Sequence, residues 1–281
     1  MIYFYLQYLF RKTFLNLFEI KKNIFTVYIC NLLYFISKFT GGMTWQKLAN
    51  INYAETVFGK FYIKPHSLEI ITISPDFERT DIDYLLKEIK DSNSKYKNFY
   101  FFDIGANFGL YSIIVGNKLN DKVKIFGFEP FQESYELYKK NLKTNNIKNF
   151  KIFDFGLYNS SQKLKLKLDN VNPGGNRISD EDENSMEIIV KEFDKLDIDI
   201  DFKDSIAFIK MDIEGSETFA LQGLKKTFDK FDEILILVED LLINPEKELK
   251  KQNFKFETKI SPYNSFWRKK NKKWIKKYQL L

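Results

Sequence analysis

From Lys97 onward, short apolar runs alternate with segments of helical period. "NFYFFDIG", "KVKIFGFEP", "FKIFDFGL", "IAFIKMDIEG" and "EILILVED" are apolar almost throughout, with glycine or an acidic residue at or near the end of each. Such runs fit strands buried on both faces. Between them, "LYSIIVGNKL", "QESYELYKKNLKTNN" and "SETFALQGLKKTFDKF" read as helices, the second carrying Tyr135, Leu137, Tyr138 and Leu142 as its apolar side. Strands alternating with helices predict right-handed βαβ crossovers, hence an α/β domain whose mostly parallel sheet has helices on both faces. "KLKLKL" has period two and predicts a strand exposed on one face. After Pro245, "KQNFKFETKI" and "NKKWIKKYQLL" predict antiparallel edge strands.

The pattern differs ahead of this domain. "ETVFGKFYIKP" and "LEIITIS" are β-rich, and "SPDFERTDIDYLLKEIK" predicts a helix with Ser74 as N-cap and Pro75 in its first turn. The first 40 residues are apolar and aromatic, and Gly41-Gly42 closes them. No basic region precedes their first apolar run and no small-residue cleavage site follows, so they do not read as a signal peptide. The run Ile24–Ser37 is short for a bilayer span. Two amphipathic helices are expected, which pack on the domain, lie on a membrane surface or dimerise. The division predicted is 1–50, an apolar helical segment; 51–95, a hairpin and helix adaptor; and 96–281, the α/β domain with a basic C-terminal hairpin.

Charge sharpens this division. The formal net charge is +6. Residues 1–50 carry six basic side chains against one acidic, residues 265–281 carry seven against none, and the stretch between is net negative. The basic aromatic ends suit peripheral contact with an anionic surface, which places the expected site of action in the cytoplasm, at the inner face of the membrane. The alternative is solvated lysine on an edge hairpin. One cysteine excludes an intramolecular disulfide framework, and with one histidine it leaves no His/Cys metal set. A divalent metal would need oxygen ligands, and no motif demands one.

The candidate chemistry lies at the strand ends. The first strand runs into Asp103-Ile104-Gly105-Ala106-Asn107-Phe108-Gly109. Gly105 allows a sharp turn, Asn107 tolerates a left-handed backbone, and Gly109 allows close packing at the helix start. This is not the G-x-G-x-x-G dinucleotide spacing. A carboxylate at the mouth of the loop repels a pyrophosphate and suits S-adenosylmethionine, with its ammonium and sulfonium. Glu129 ends the second strand, where an acid accepts hydrogen bonds from ribose hydroxyls. Asp154 or the backbone at Gly156 borders the adenine position. "IKMDIEGSE" gathers Asp212, Glu214 and Glu217 near one strand end, with Lys210 to balance them and Glu239 on the next strand. Strand alternation places Asp212 and Glu214 on one side. Close carboxylates share a proton, take one from a hydroxyl or hold a hard cation. "NPGGNRIS" reads as a flap, with Arg177 reaching an anionic or sugar group. His66 is the one imidazole available as a base.

Taken in order, "FDIGANFGLYS", "GFEPFQESYELYKKNLKTNN", "GLYNSSQKLKL", "GGNRIS" and "IKMDIEGSETFALQGL" resemble the FkbM family of S-adenosylmethionine-dependent methyltransferases, over roughly Phe99 to Asp240. The resemblance implies a class I, Rossmann-like methyltransferase fold with seven strands, the last antiparallel. It implies O-methylation of a hydroxyl, with a saccharide or glycoconjugate as the expected acceptor. By position it makes Asp103, Gly105, Asn107 and Gly109 the cofactor loop and Glu129 the ribose ligand. Asp212 and Glu214 fall at the second acidic motif and are the expected catalytic pair. The family's Glu-x-His at the fifth strand is replaced by "VEDLL". A nucleic-acid or other small-molecule methyltransferase is the alternative, and a nicotinamide oxidoreductase the least favoured.

Overall fold

The computed structural model describes residues 20–22, 29–30, 32–34, 49–181 and 183–271. Most of the expected N-terminal helical segment and the basic residues 272–281 lie outside these. Seven strands form the main sheet: β4 (Asn98–Ile104), β5 (Val123–Phe128), β6 (Phe150–Phe153), β11 (Ser205–Met211), β12 (Glu233–Glu239), β13 (Lys255–Thr258) and β14 (Asn264–Lys270). Their order is β13-β14-β12-β11-β4-β5-β6. From β6 to β12 neighbouring strands are parallel, and β14 enters antiparallel between β12 and β13. This is the seven-stranded class I methyltransferase arrangement expected.

The alternation of each strand builds two cores. Phe99, Phe101, Ile206, Phe208, Leu235 and Leu237 are buried on one face. Tyr100, Phe102, Ala207, Ile209, Ile234 and Ile236 are buried on the other. The helices cover both faces. Among the described residues they include α1 (Glu69–Thr72), α2 (Arg79–Ser92), α3 (Leu110–Leu119), α4 (Gln132–Thr144), α5 (Glu217–Gly223), α6 (Lys225–Phe228) and α7 (Glu246–Lys251). The single long helix expected after "IEG" is broken at Leu224 into α5 and α6.

A second sheet is inserted between β6 and β11. It contains β7 (Gly156–Leu157), β8 (Gln162–Lys167), β9 (Arg177–Ile178) and β10 (Ser185–Lys191), ordered β7-β10-β8-β9. Leu166, Ile188 and Val190 form its small apolar cluster. Ahead of the domain, β1 (Ile20–Lys22), β2 (Tyr53–Thr56) and β3 (Gly59–Tyr62) make an antiparallel sheet. Within the segment expected to be helical over 1–50, Ile20–Lys22 is a strand, while residues 29–30 and 32–34 are helical.

Three further differences have physical causes. "LEIITIS" forms the helical turn α1 rather than a strand, since Ile70 and Ile73 both reach the core. Packing overrides the β preference of isoleucine there. The helix expected from Ser74 begins at Arg79, after Glu78 takes a left-handed conformation. The strand that follows β13 is "NSFWRKK", and it is interior, with β13 at that edge of the sheet; "NKKWIKKYQLL", expected as an edge strand, lies beyond Asn271 and outside the described residues. Arg268 and Lys269 are therefore largely withdrawn from solvent, while Lys270 is exposed. Arg268 pairs with Glu88, Glu233 and Glu257, and Lys269 with Asp229.

The cofactor-loop glycine is fixed by geometry. Gly105 has φ +78°, and a Cβ there would stand 1.9 Å from the backbone oxygen of Asp212. Neither backbone can yield without opening the β4–β11 ladder. Gly105→Ala is expected to destabilise the protein by about 3 kcal/mol or more, lowering Tm by roughly 6–12 °C. Thermal unfolding followed by circular dichroism measures it.

Candidate functional site

The site forms where β4, β5 and β11 end, under the inserted sheet. Gly105, Asn107, Phe128, Glu129, Gly156, Asp212 and Ser216 line one cavity together with Pro173, Gly174, Asn176 and Ile178 of the expected flap. Leu157, Leu166, Ile188 and Val190 add an apolar wall. Of the residues expected to hold the cofactor, Gly105, Asn107, Glu129 and Gly156 meet here. Asp103, Gly109 and Asp154 are not among the lining residues, and Asp154 is exposed.

The structure places Asp103 beneath the loop rather than at its mouth. It is buried, and its Oδ2 accepts from Ser112 N at 3.0 Å and Ser112 Oγ at 2.6 Å. Ser112 Oγ also lies 2.5 Å from the Tyr138 hydroxyl. Asp103 thus anchors the first turn of α3 to the end of β4. Gly109, at φ +87°, lies against the Tyr138 ring, where a Cβ would come within 2.1 Å. These two residues shape the loop from behind.

Glu129 holds the loop from the cavity side. Oε2 accepts from Asn107 N and Oε1 from Phe131 N, each at 2.8 Å. Asn107 has φ +48°, and its Oδ1 accepts from Ser134 Oγ at 2.8 Å. A carboxylate offers about four acceptor positions, and two are used. The remainder match the paired donors of a ribose diol, and the apolar wall matches an adenine ring. The residues present therefore fit S-adenosylmethionine.

Burial pushes Glu69, Asp103 and Glu129 up to about 7 each. The folded chain keeps these protons to about pH 7, whereas the unfolded chain releases them near pH 4. Their stabilising contribution is complete below the unfolded values and is lost as pH rises to about 7. Without cofactor, stability is expected to fall by about 2–3 kcal/mol for each of these groups between pH 5 and 7.5. Urea midpoints measure this, and Asp103→Asn should flatten the profile.

The acidic group is set differently from the alternation expected. The strand ends at Met211, and Glu214 sits in the following turn with φ +50°. Glu217 Oε1 braces that turn, accepting from Ile213 N at 3.0 Å and Gly215 N at 3.3 Å. Asp212, Glu214 and Glu239 nevertheless bring carboxylate oxygens within 4.8 Å of one another. The turn, not the pleat, joins them. Burial first, then Asp212 and Glu217, pushes Glu214 up to about 7. Burial, then Asp212 and Glu214, raises Glu239 further. Such a trio can share protons or hold a hard cation.

Lys210 limits the repulsion. Its Nζ is 3.2 Å from Asp212 Oδ2 and 3.2 Å from Asn264 Oδ1. Burial works against its charge, but Asp212, Glu78 and Glu239 hold the ammonium above its ordinary value. Sequence spacing brought forward Lys210 but missed Asn264 and Glu78, which arrive from distant segments. Arg177 is exposed on β9, and His66 is exposed and outside the cavity lining.

Among solved structures, the chain is similar to precorrin-6y C5,15-methyltransferase from Geobacter metallireducens, at 13% identity over 66% of this chain and 85% of that one, TM-score 0.39. It is similar to a SAM dependent methyltransferase from Aquifex aeolicus, at 12% identity over 69% and 93%, TM-score 0.39. A putative rRNA-methylase from Clostridium thermocellum gives 11% identity over 69% and 94%, TM-score 0.42. No curated protein sequence matches. The methyltransferase FkbM domain matches residues 103–270, which include the loop, Glu129 and the acidic group. The match spans more than half of the chain, which belongs to the FkbM family of S-adenosylmethionine-dependent methyltransferases.

Proposed function

We propose that this methyltransferase acts on a hydroxyl oxygen, with a saccharide or glycoconjugate as acceptor. The observation that carries the reading is the carboxylate trio Asp212, Glu214 and Glu239 at the ends of β11 and β12. A hydroxyl is a weak nucleophile that gains from a positioned base. A carboxyl held near 7, as Glu214 is, accepts a proton at neutral pH.

When bound, S-adenosylmethionine supplies a sulfonium methyl group to the acceptor oxygen and leaves as S-adenosylhomocysteine. The chain's own residues orient and exclude water. Glu129 and the Gly105–Asn107 backbone hold the nucleoside end, and the inserted sheet covers it. Asp212 or Glu214 takes the hydroxyl proton, which the trio shares before releasing it to solvent. The basic ends are expected to serve peripheral membrane contact. No helix among the described residues is long and apolar enough to cross a membrane.

The nucleic-acid alternative uses the basic C-terminal residues on phosphates. Arg268 and Lys269 are already paired inside the sheet, which weighs against it. Mass spectrometry of surface glycans from cells with and without the gene tests the proposal. Loss of one methyl increment from a glycan supports it. Unchanged glycans alongside a lost RNA methylation would sink it.

A further inference from the structure

The segment ahead of the matched domain reaches the acidic group. Glu78, just before α2, has φ +45° and ψ +27°. Such a left-handed conformation costs a non-glycine residue about 1 kcal/mol or more, and persists where its surroundings over-determine it. Glu78 Oε1 accepts from Asn264 Nδ2 at 2.9 Å, and Oε2 from the Tyr111 hydroxyl at 2.6 Å. Oε2 also lies 3.8 Å from Lys210 Nζ. The buried Lys210 ammonium therefore has both Glu78 and Asp212 as ion-pair partners among the described residues, 5.2 Å from the Tyr111 ring centroid.

We propose that Glu78 is a positioning residue for methyl transfer, fixing the Lys210–Asp212 pair through its charge. The proposal rests on the reading of Asp212 as part of the base. Glu78 draws the ammonium towards a second carboxylate. Without it, the positive charge falls more fully on Asp212, tightening that pair and weakening Asp212 as a proton acceptor. Residues 51–95 then belong to the working site, although they precede the matched domain.

Glu78→Gln separates charge from shape. Its amide oxygen can accept from Asn264 and its NH2 can donate to the Tyr111 oxygen, so both hydrogen bonds survive. Tyr111→Phe does the converse, removing one hydrogen bond and leaving the charge. Initial rates of label transfer from methyl-labelled S-adenosylmethionine to an extract of cells lacking the gene are compared for the full-length variants. The temperature is chosen so that melting curves show every chain folded. Glu78→Gln is expected to lose about tenfold in rate, with affinity for S-adenosylhomocysteine within about twofold of wild type, while Tyr111→Phe stays within about twofold in rate. Glu78→Gln at the wild-type rate, or both variants falling equally, overturns the proposal. Asp212→Asn in the same assay keeps the two readings apart. If it is inactive while Glu78→Gln is not impaired, only the positioning role fails. If it is fully active, the underlying reading fails.

Discussion

Asp212→Asn is expected to lower kcat by about 10²–10⁴-fold while changing S-adenosylhomocysteine affinity by no more than about threefold. The range is that of a lost general base. Asparagine keeps the shape of Asp212 and still offers Oδ1 to Lys210, so the 3.2 Å contact can persist as a hydrogen bond. Glu78 remains as a carboxylate partner for the buried ammonium. The substitution thus removes a proton acceptor without stranding a charge. Because Glu214 and Glu239 lie within the same trio, Glu214→Gln should also slow turnover, and the double variant should lose less than the product of the single losses. Glu214 is raised to about 7. An unprotonated base is required, so kcat should rise with pH up to about 7, and Glu214→Gln should move that limb. Steady-state rates on the identified acceptor, with calorimetric affinity for S-adenosylhomocysteine, measure both parts. An Asp212→Asn enzyme with wild-type kcat would remove Asp212 from the chemistry.

What the sequence made legible was the part written locally. The runs that became β4, β5, β11 and β12 are apolar on both faces, and each is followed by its loop or acid within a few residues. That spacing is enough to bring Gly105, Glu129 and Asp212 to one end of a parallel sheet. Side-chain direction was less legible. Asp103 reads as a loop residue, yet its carboxylate turns under the loop to Ser112, nine positions on. Glu214 reads as a continuation of the strand, yet it meets Asp212 through a left-handed turn. Long-range partners were not legible at all. Glu78 and Asn264 are 186 residues apart in sequence and share a hydrogen bond beside Lys210. "NSFWRKK" and "NKKWIKKYQLL" are alike in composition. The burial of Phe266 and Trp267, with ion pairs for Arg268 and Lys269, is what seats "NSFWRKK" in the sheet, and none of it is written in the local pattern.

Glu129→Ala is expected to weaken S-adenosylhomocysteine binding by about 10²–10³-fold. Hydrogen bonds to a charged acceptor contribute about 1.5–3 kcal/mol each, and a ribose diol makes two. At about 1.4 kcal/mol per tenfold, their loss alone reaches this range. The substitution also orphans the N–H groups of Asn107 and Phe131, which Glu129 now satisfies at 2.8 Å each. The loop residue Asn107, held at φ +48°, then loses a restraint it needs to face the cavity. Glu129→Gln is not a mild replacement here. One end of its amide is a donor, and it would meet one of those two N–H donors. It should therefore weaken binding by about tenfold or more despite its matching shape. Stability should change much less. Glu129 is pushed up to about 7 by burial, so above that pH its ionised form is carried at a cost in the empty protein. The alanine variant sheds that cost, which offsets part of the loss from the orphaned N–H groups, and its melting temperature without ligand should fall little. A fold that survives with its ligand affinity gone assigns Glu129 to recognition. Calorimetric titration beside thermal unfolding separates the two, and an alanine variant that binds S-adenosylhomocysteine within threefold of wild type would sink the ribose assignment.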